Sequence, residues 1–202
     1  MRLDHLAVAA ASLAEGVAAV EAALGMTLAG GGQHLAMGTH NRLLALGDVY
    51  LEVIAVDPSL VRPDRPRWFD LDQVQGPPRL TNWVVACEDV AGALADAPDG
   101  AGVPMDFERG DLRWRMAVPK DGQLPFDGAY PALIEWAGNA HPTQVLPDSG
   151  ARLRRLEIAH PDADGLRKAL VRLVDPRVVI TQGSAKSMRA EVMTPHGIRV
   201  LE

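Results

Sequence analysis

Three stretches of the chain open alike. RLDHLAVAA at 2–10, RLTNWVVAC at 79–87 and RLRRLEIAH at 152–160 each begin Arg-Leu and run on as an apolar strand. A helix-like segment and further strands follow each one. Recurrence of a unit this size signals a duplicated supersecondary module, and it restricts the fold to units of that kind assembled side by side.

The first unit reads β-α-β-β-β. Leu3–Ala9 is strand-like. Ser12-x-x-Glu15 is a capping box, and Leu13, Val17, Val20 and Leu24 recur at helical spacing. Gly25 stands where a left-handed C-terminal cap falls. Strands are predicted near 26–36, 40–46 and 49–56. In the second unit a strand at 79–87 precedes a short helix, capped by Asp89 and stopped before Pro98. Strands at 112–118 and 132–137 follow. The third unit is shorter, with strands at 152–160, 177–181, 188–193 and 198–202 and a helix marked by Leu166, Leu170 and Leu173. The expected organisation is one domain with modules at 1–57, 79–140 and, in part, 151–202. The connector at 58–78 holds five prolines, which resist both helix and central strand. Long ordered connectors are often functional covers, and Trp68 and Phe69 are expected to pin this one to the body.

Bulk properties exclude several functions. The 202 residues suffice for a real core, and a net charge of -6 gives no basic surface for nucleic acid. The small cluster Arg152, Arg154 and Arg155 does not alter that. The single cysteine, Cys87, cannot form an internal disulfide and reads as a buried small hydrophobe. No apolar run reaches the ~18 residues of a membrane span, and the start of the chain lacks signal-peptide features. A soluble, cytoplasmic protein is expected. Gly30-Gly31-Gly32 lacks the Lys-Ser/Thr of a phosphate loop and reads as a turn. No G-x-S-x-G nucleophile motif is present.

Strand alternation then sorts the polar residues. Leu6 and Val8 share one face of the first strand, and Leu3, His5 and Ala7 the other. In the strand at 49–56, Leu51 and Val53 oppose Tyr50, Glu52 and Ile54. The wholly apolar faces suit the helix, which leaves His5 and Glu52 on the other side. In the second unit Asn82 takes the place of His5 and Glu135 that of Glu52. If the two units face each other, these four residues converge on one cavity. Converging carboxylates and a histidine suit metal binding or proton transfer. Trp83, Tyr50 and Trp136 would line the cavity. Arg113 and Arg115 would enter it if Leu112, Trp114 and Met116 pack under the helix, and could then grip a substrate carboxylate. His34 and His40 have no evident acidic partner and are expected at the surface. Residues 119–128 read as a lid or a surface loop.

The stretches LDHLAVAA (3–10), GTHNRLLALGDVYLEVIAVDP (38–58), LRWRMAVP (112–119) and PALIEWAG (131–138) resemble the vicinal oxygen chelate superfamily, in its glyoxalase-like branch. The resemblance implies an α+β fold of paired βαβββ modules, with a shortened third, curling around a cavity. Well-studied members bind a divalent metal there (zinc, nickel, manganese, iron or magnesium) and isomerise, cleave or oxidise small molecules. Others have lost the metal and bind ligands. The implied metal positions fall on His5, Glu52, Asn82 and Glu135. Asn82 departs from the pattern, because an amide oxygen is a poor transition-metal ligand. That leaves a second reading, with Glu52 and Glu135 as acid and base without metal. The resemblance also makes Asn41 a ligand contact. The leading expectation is a lyase or isomerase with Glu135 as general base and a small-molecule substrate, contacted by Asn41, Tyr50, Asn82, Arg113, Arg115 and Trp136. The alternative is a non-catalytic binding protein of the sequestering or resistance kind. Such modules can also pair across chains, which makes a homodimer one expectation.

Overall fold

A computed structural model describes residues 1–202. The first unit runs β1 (Arg2–Ala9), α1 (Leu13–Leu24), β2 (Gln33–His34), β3 (Thr39–Ala45) and β4 (Tyr50–Val56). The second runs β5 (Arg79–Ala86), α2 (Val90–Leu94), β6 (Val103–Arg109), β7 (Leu112–Val118) and β8 (Ala132–Trp136). After α3 (Pro142–Val145), the third runs β9 (Arg152–His160), α4 (Ala163–Ala169), β10 (Val178–Gln182), β11 (Ser187–Thr194) and β12 (Gly197–Leu201).

The first two units join in one eight-stranded sheet, ordered β2-β3-β4-β1-β5-β8-β7-β6. The order is a mirror about its middle. β1 and β5 pair antiparallel at the centre, β4 lies parallel to β1, and β8 lies parallel to β5. A local twofold therefore exchanges the units, as duplicated βαβββ modules require. The third unit repeats the order of elements but forms its own sheet, β10-β9-β11-β12. There the strand after the helix pairs directly with the strand before it, whereas in the first two units it lies at the sheet's outer edge.

α1 begins at Ser12, whose hydroxyl accepts from the Glu15 amide at 3.3 Å and donates to the Glu15 carboxylate at 3.0 Å. It ends at Gly25, with φ 68° and its amide bonded to the Glu21 carbonyl, the left-handed cap expected there. A Cβ on Gly16 would sit 2.6 Å from Val53 Cγ1 and 2.8 Å from Ala10 Cβ. Glycine is what lets the helix lie this close to the sheet.

Two cores result. On the helix-bearing face, Leu6, Val8, Leu51, Val53, Trp83 and Val85 pack with Val20 and Leu24 of α1, and with Leu156, Ile158 and Val192 of the third unit. On the inner face, Ile54, Val84, Trp114, Met116 and Ile134 pack against Trp68, Phe69 and Leu71. Those three belong to a kinked 3-10 segment, Trp68–Gln73, of the proline-rich connector. The connector is thus a strap filling much of the inner face. Arg67 holds it there, donating from Nε to the Met37 carbonyl at 3.1 Å, with Asp72 as ion-pair partner.

One strand expectation needs correction, and one strand lies where none is expected. Most of 26–36 is irregular, and only Gln33–His34 pairs as β2, because three successive glycines offer nothing to pack on a sheet. Conversely, β6 carries too little apolar patterning to read as a strand. It is an edge strand, with Pro104, Asp106 and Glu108 exposed. No helix is long and apolar enough to cross a membrane.

Candidate functional site

The site starts from an irregularity in β1. In its ladder with β5, Leu3 pairs with Val85 and His5 with Val84, so Asp4 is an extra, unpaired residue. Such a bulge re-aims side chains. Asp4 and His5, adjacent in sequence, therefore come together, with Asp4 Oδ1 2.6 Å from His5 Nδ1. Asp4 Oδ2 accepts from Trp136 Nε1 at 2.9 Å and lies 3.1 Å from His141 Nε2. His141 Nδ1 accepts from the Thr143 amide, so Nε2 carries the proton it donates to Asp4.

The chain continues across the sheet. His5 Nε2 lies 3.6 Å from Glu52 Oε2, an ion-pair distance, and the imidazole stacks on Tyr50 with centroids 4.4 Å apart. Glu52 Oε1 accepts from Asn41 Nδ2 at 2.5 Å. Asn41 Oδ1 accepts from the Gly32 amide at 2.9 Å and from Arg109 Nη1 at 3.1 Å. Arg109 also lies 3.0 Å from His34 Nε2. A guanidinium only donates, so His34 Nε2 is an acceptor and its Nδ1–H points to Thr39 Oγ1, 3.0 Å away. Asp4, His5, His34, Asn41 and Glu52 are all buried. Between this chain and the strap lies a cavity of about 30 Å³, walled by Trp68, Phe69, Trp114 and Trp136.

The charges follow from competing effects. Burial disfavours imidazolium at His5, but hydrogen bonding and charge from Asp4 and Glu52 prevail and raise its pKa to about 9. Burial likewise opposes ionisation of Glu52, and His5 outweighs it, holding the carboxyl down to about 2. Asp4 is held well below the usual carboxylate range by His141 and His5 against the same desolvation. At His34 burial wins: the charge of Glu52 opposes it, Arg109 and His5 reinforce it, and the pKa falls to about 4. Burial also pushes the Tyr50 hydroxyl well up. Near neutral pH the chain is Asp4 carboxylate, His5 imidazolium, Glu52 carboxylate and neutral His34.

Of the residues singled out in the sequence, the cavity gathers His5, Asn41, Tyr50, Glu52 and Trp136. Glu135 is not among them. Ile134 and Trp136 face the cavity, so Glu135 between them points to the helix side, where Oε2 accepts from the Val90 amide at 2.9 Å at the start of α2. The expected match with Glu52 is off in register, and a slip of an odd number of residues reverses the face. Glu52 sits beside Ala7 on β4, and Val84, the twofold equivalent of Ala7, sits beside Ala132. Ala132 thus occupies the place of Glu52. Asn82 does occupy the place of His5, yet lines a separate cleft. Arg113 and Arg115 are exposed and pair with Glu108 and Asp106, because Trp114 and Met116 turn inward instead of under a helix. Trp83 also lies away from the cavity, in the helix-side core, donating to the Ala129 carbonyl. His34 is buried in the site, not at the surface.

The expected metal set of His5, Glu52 and Glu135 therefore does not assemble. No three His, Cys, Asp or Glu side chains are grouped as a metal ion requires. The second unit offers Asn82 and Ala132 where ligands would be needed. The residues present do not fit the metal centre that the superfamily implies.

Sequence reading missed Asp4, His34 and Arg109. Two consecutive polar residues inside the apolar LDHLAV hint at a bulge. His34 is masked by its glycine-rich surroundings. Arg109 ends β6, a strand without apolar patterning.

Sheet, mirror-related modules and inner-face cavity define a glyoxalase-like α+β protein. The glyoxalase-like domain family matches residues 3–174, and the chain belongs to that family. Among solved structures, a hypothetical protein from Staphylococcus aureus has the same fold, with a TM-score of 0.61 at 11% identity over 92% of this chain and 87% of that one. Methylmalonyl-CoA epimerase from Mycobacterium tuberculosis aligns with a TM-score of 0.43 at 20% identity, over 68% of this chain and 88% of its own. A search of curated proteins finds no match.

Proposed function

We propose that the protein is a small-molecule enzyme of the isomerase or lyase type that moves a proton in the inner-face cavity, using His5 and Glu52 in place of a metal. The observation that carries this is the buried, ionised chain Asp4–His5–Glu52 at the wall of an aromatic cavity. In this reading His5 is the electrophile. Its imidazolium polarises a substrate carbonyl and gives its Nε2 proton to the oxygen as charge develops there. Glu52 takes the proton from the adjacent carbon, and the electron pair of that C–H bond moves to form the enol. Reprotonation at carbon completes an isomerisation, and loss of a neighbouring leaving group completes an elimination. Asp4 is a positioning residue that fixes the ring and sustains its charge. Aromatic walls suit a small, partly apolar substrate.

The cavity of about 30 Å³ takes one water. A substrate enters with the strap lifted, and two features support a movable strap. Phe69 and Asp70 have φ of 57° and 52°, which costs about 1 kcal/mol or more per residue outside glycine. The Trp68 indole N–H is buried without a partner.

One observation favours the non-catalytic alternative. Both Glu52 oxygens already face partners, Asn41 and His5, as in a carboxylate that merely completes a binding wall. Proton NMR separates the two readings. Small carbonyl compounds with acidic C–H bonds are incubated with the protein in D2O. The enzyme reading expects loss of an α-proton signal, slowed about a hundredfold or more by Glu52→Gln and by His5→Gln. A compound that raises Tm yet keeps all its protons and is recovered unchanged identifies a binding protein instead.

A further inference from the structure

A second, larger cleft lies on the other side of Phe69. Its volume is about 410 Å³, within the range of small-molecule sites. One wall is the start of β5, with Thr81 and Asn82; another is the strap at Phe69–Asp70. The third is the loop at Asp127–Gly128, and Lys186, from the turn between β10 and β11, closes the end. It shares only Phe69 with the His5 cavity.

Several independent features mark this cleft as built. The molecule has four non-glycine residues with positive φ: Phe69, Asp70, Phe126 and Asp127. They form two pairs, and three of the four line this cleft. Residues in that conformation persist only where the surroundings impose it, and they cluster at ligand sites. Asn82 is only 4% exposed, and its carboxamide forms no hydrogen bond inside the protein although the cleft lies before it. Thr81 Oγ1 is also buried without a partner. The Asn82 carboxamide is free to bind a ligand in the cleft.

The donors are arranged around one point. Lys186 Nζ gives one hydrogen bond to the Thr81 carbonyl at 2.7 Å, and two N–H remain. A Cβ on Gly128 would sit 3.4 Å from Asn82 Nδ2 and 3.6 Å from Lys186 Nζ. Glycine there, at φ 81°, keeps both nitrogens accessible from the same side. Asp127 and Asp70 supply acceptors on the facing walls.

We infer that this cleft is a binding site for a small carboxylate that also carries a hydroxyl or amino group. Lys186 and Asn82 grip the anion, and Asp127 with Asp70 takes the ligand's donors. This does not rest on the reaction assigned to His5 and Glu52. Burial lowers the Lys186 pKa to about 8, with Arg79 adding to the effect. A bound anion would oppose that shift, and a fraction of neutral amine makes the lysine open to chemical labelling.

The chain has three lysines, and Lys120 and Lys168 are exposed. That permits an internal comparison. The full-length protein is treated with cyanoborohydride and either glyoxylate, an aldehyde bearing a carboxylate, or glycolaldehyde, its uncharged counterpart. The amine condenses with the aldehyde and loses water, and hydride reduction fixes the adduct for peptide mass spectrometry. Taking the ratio of the two reagents at each lysine removes plain nucleophilicity. The expected glyoxylate preference at Lys186 exceeds that at Lys120 and Lys168 by about tenfold, the scale of one charge-assisted hydrogen bond. Glycerate should suppress it by competition. Asn82→Asp, which puts a negative charge beside the anion, and Asn82→Leu, which removes the donor without charge, should each bring the ratio towards that of Lys120. Equal preference at all three lysines overturns the inference. So does a Lys186 preference that both Asn82 variants, shown folded by circular dichroism, leave intact.

Discussion

In the first half of the eight-stranded sheet the central strand carries Asp4 and His5, and its parallel neighbour carries Glu52. At the matching places in the second half stand Asn82 and Ala132. The halves share strand order and pairing, so backbone geometry does not explain the difference. Side chains do. Both halves bulge at the matching place, Asp4 in β1 and Thr81 in β5, but in the first half the bulged residue is an acid, and two buried carboxylates hold an imidazolium. In the second half Ala132 leaves the inner face apolar, and the nearby acid, Glu135, serves a helix terminus. Duplication provides two equivalent frames, and substitution assigns the ionised chain to one and an amide facing an open cleft to the other.

The largest test of that contrast is Glu52→Ala against Glu135→Ala. Removing Glu52 strands His5 as a buried charge with one partner fewer, and the expected loss is about 3–5 kcal/mol. Removing Glu135 takes away a half-buried helix cap, with an expected loss of about 1 kcal/mol. Chemical denaturation of both variants measures the difference, and equal losses would erase the contrast.

Next in size is the pH dependence of stability. His34 falls to about 4 in the folded protein, against about 6.5 unfolded. Between those values the unfolded chain binds more protons, so stability rises with pH. His5 rises to about 9. Between 6.5 and 9 His5 keeps more protons in the folded chain, so its contribution to stability falls as pH rises, opposed above about pH 8 by Lys186. Glu52, held to about 2, adds a further loss as pH drops below its unfolded value towards 2. Tm should therefore peak near pH 6.5. His5→Gln should flatten the alkaline limb and His34→Gln the acid limb. A Tm that does not vary from pH 5 to 9 would show that neither histidine is shifted.

A smaller steric effect is expected at Gly16. Gly16→Ala puts a methyl group against Val53 and Ala10, with an expected cost of about 1–3 kcal/mol. It should leave the His5 titration unchanged, since the contact lies on the helix side. The smallest effects belong to Arg113 and Arg115, whose ion pairs are exposed. Alanine at either should change stability by about 0.5 kcal/mol or less.

The modular plan was legible because a fold built on repetition repeats its sequence signals. The Arg-Leu openings, the Ser12 and Gly25 caps and the alternation of 49–56 all led to the right elements. Placement of His5 and Glu52 on the inner face followed from that alternation alone. Glu135 went astray because alternation fixes a face only once the register is known, and ALIEW offers no internal mark of register. Asp4 was hidden by a bulge, which alternation does not anticipate. Arg109 was hidden because an exposed edge strand has no apolar pattern. Long-range pairing brought that arginine to Asn41 and His34, and nothing near it in the chain records the contact.

The most direct test of the account is the protonation state of His5, followed by NMR of 15N-labelled imidazole from pH 5 to 10. The account predicts two protonated ring nitrogens at pH 7.5 and a midpoint near 9, falling clearly in Glu52→Gln. A neutral ring at pH 7.5 with a midpoint near 6.5, unmoved by that substitution, would contradict it.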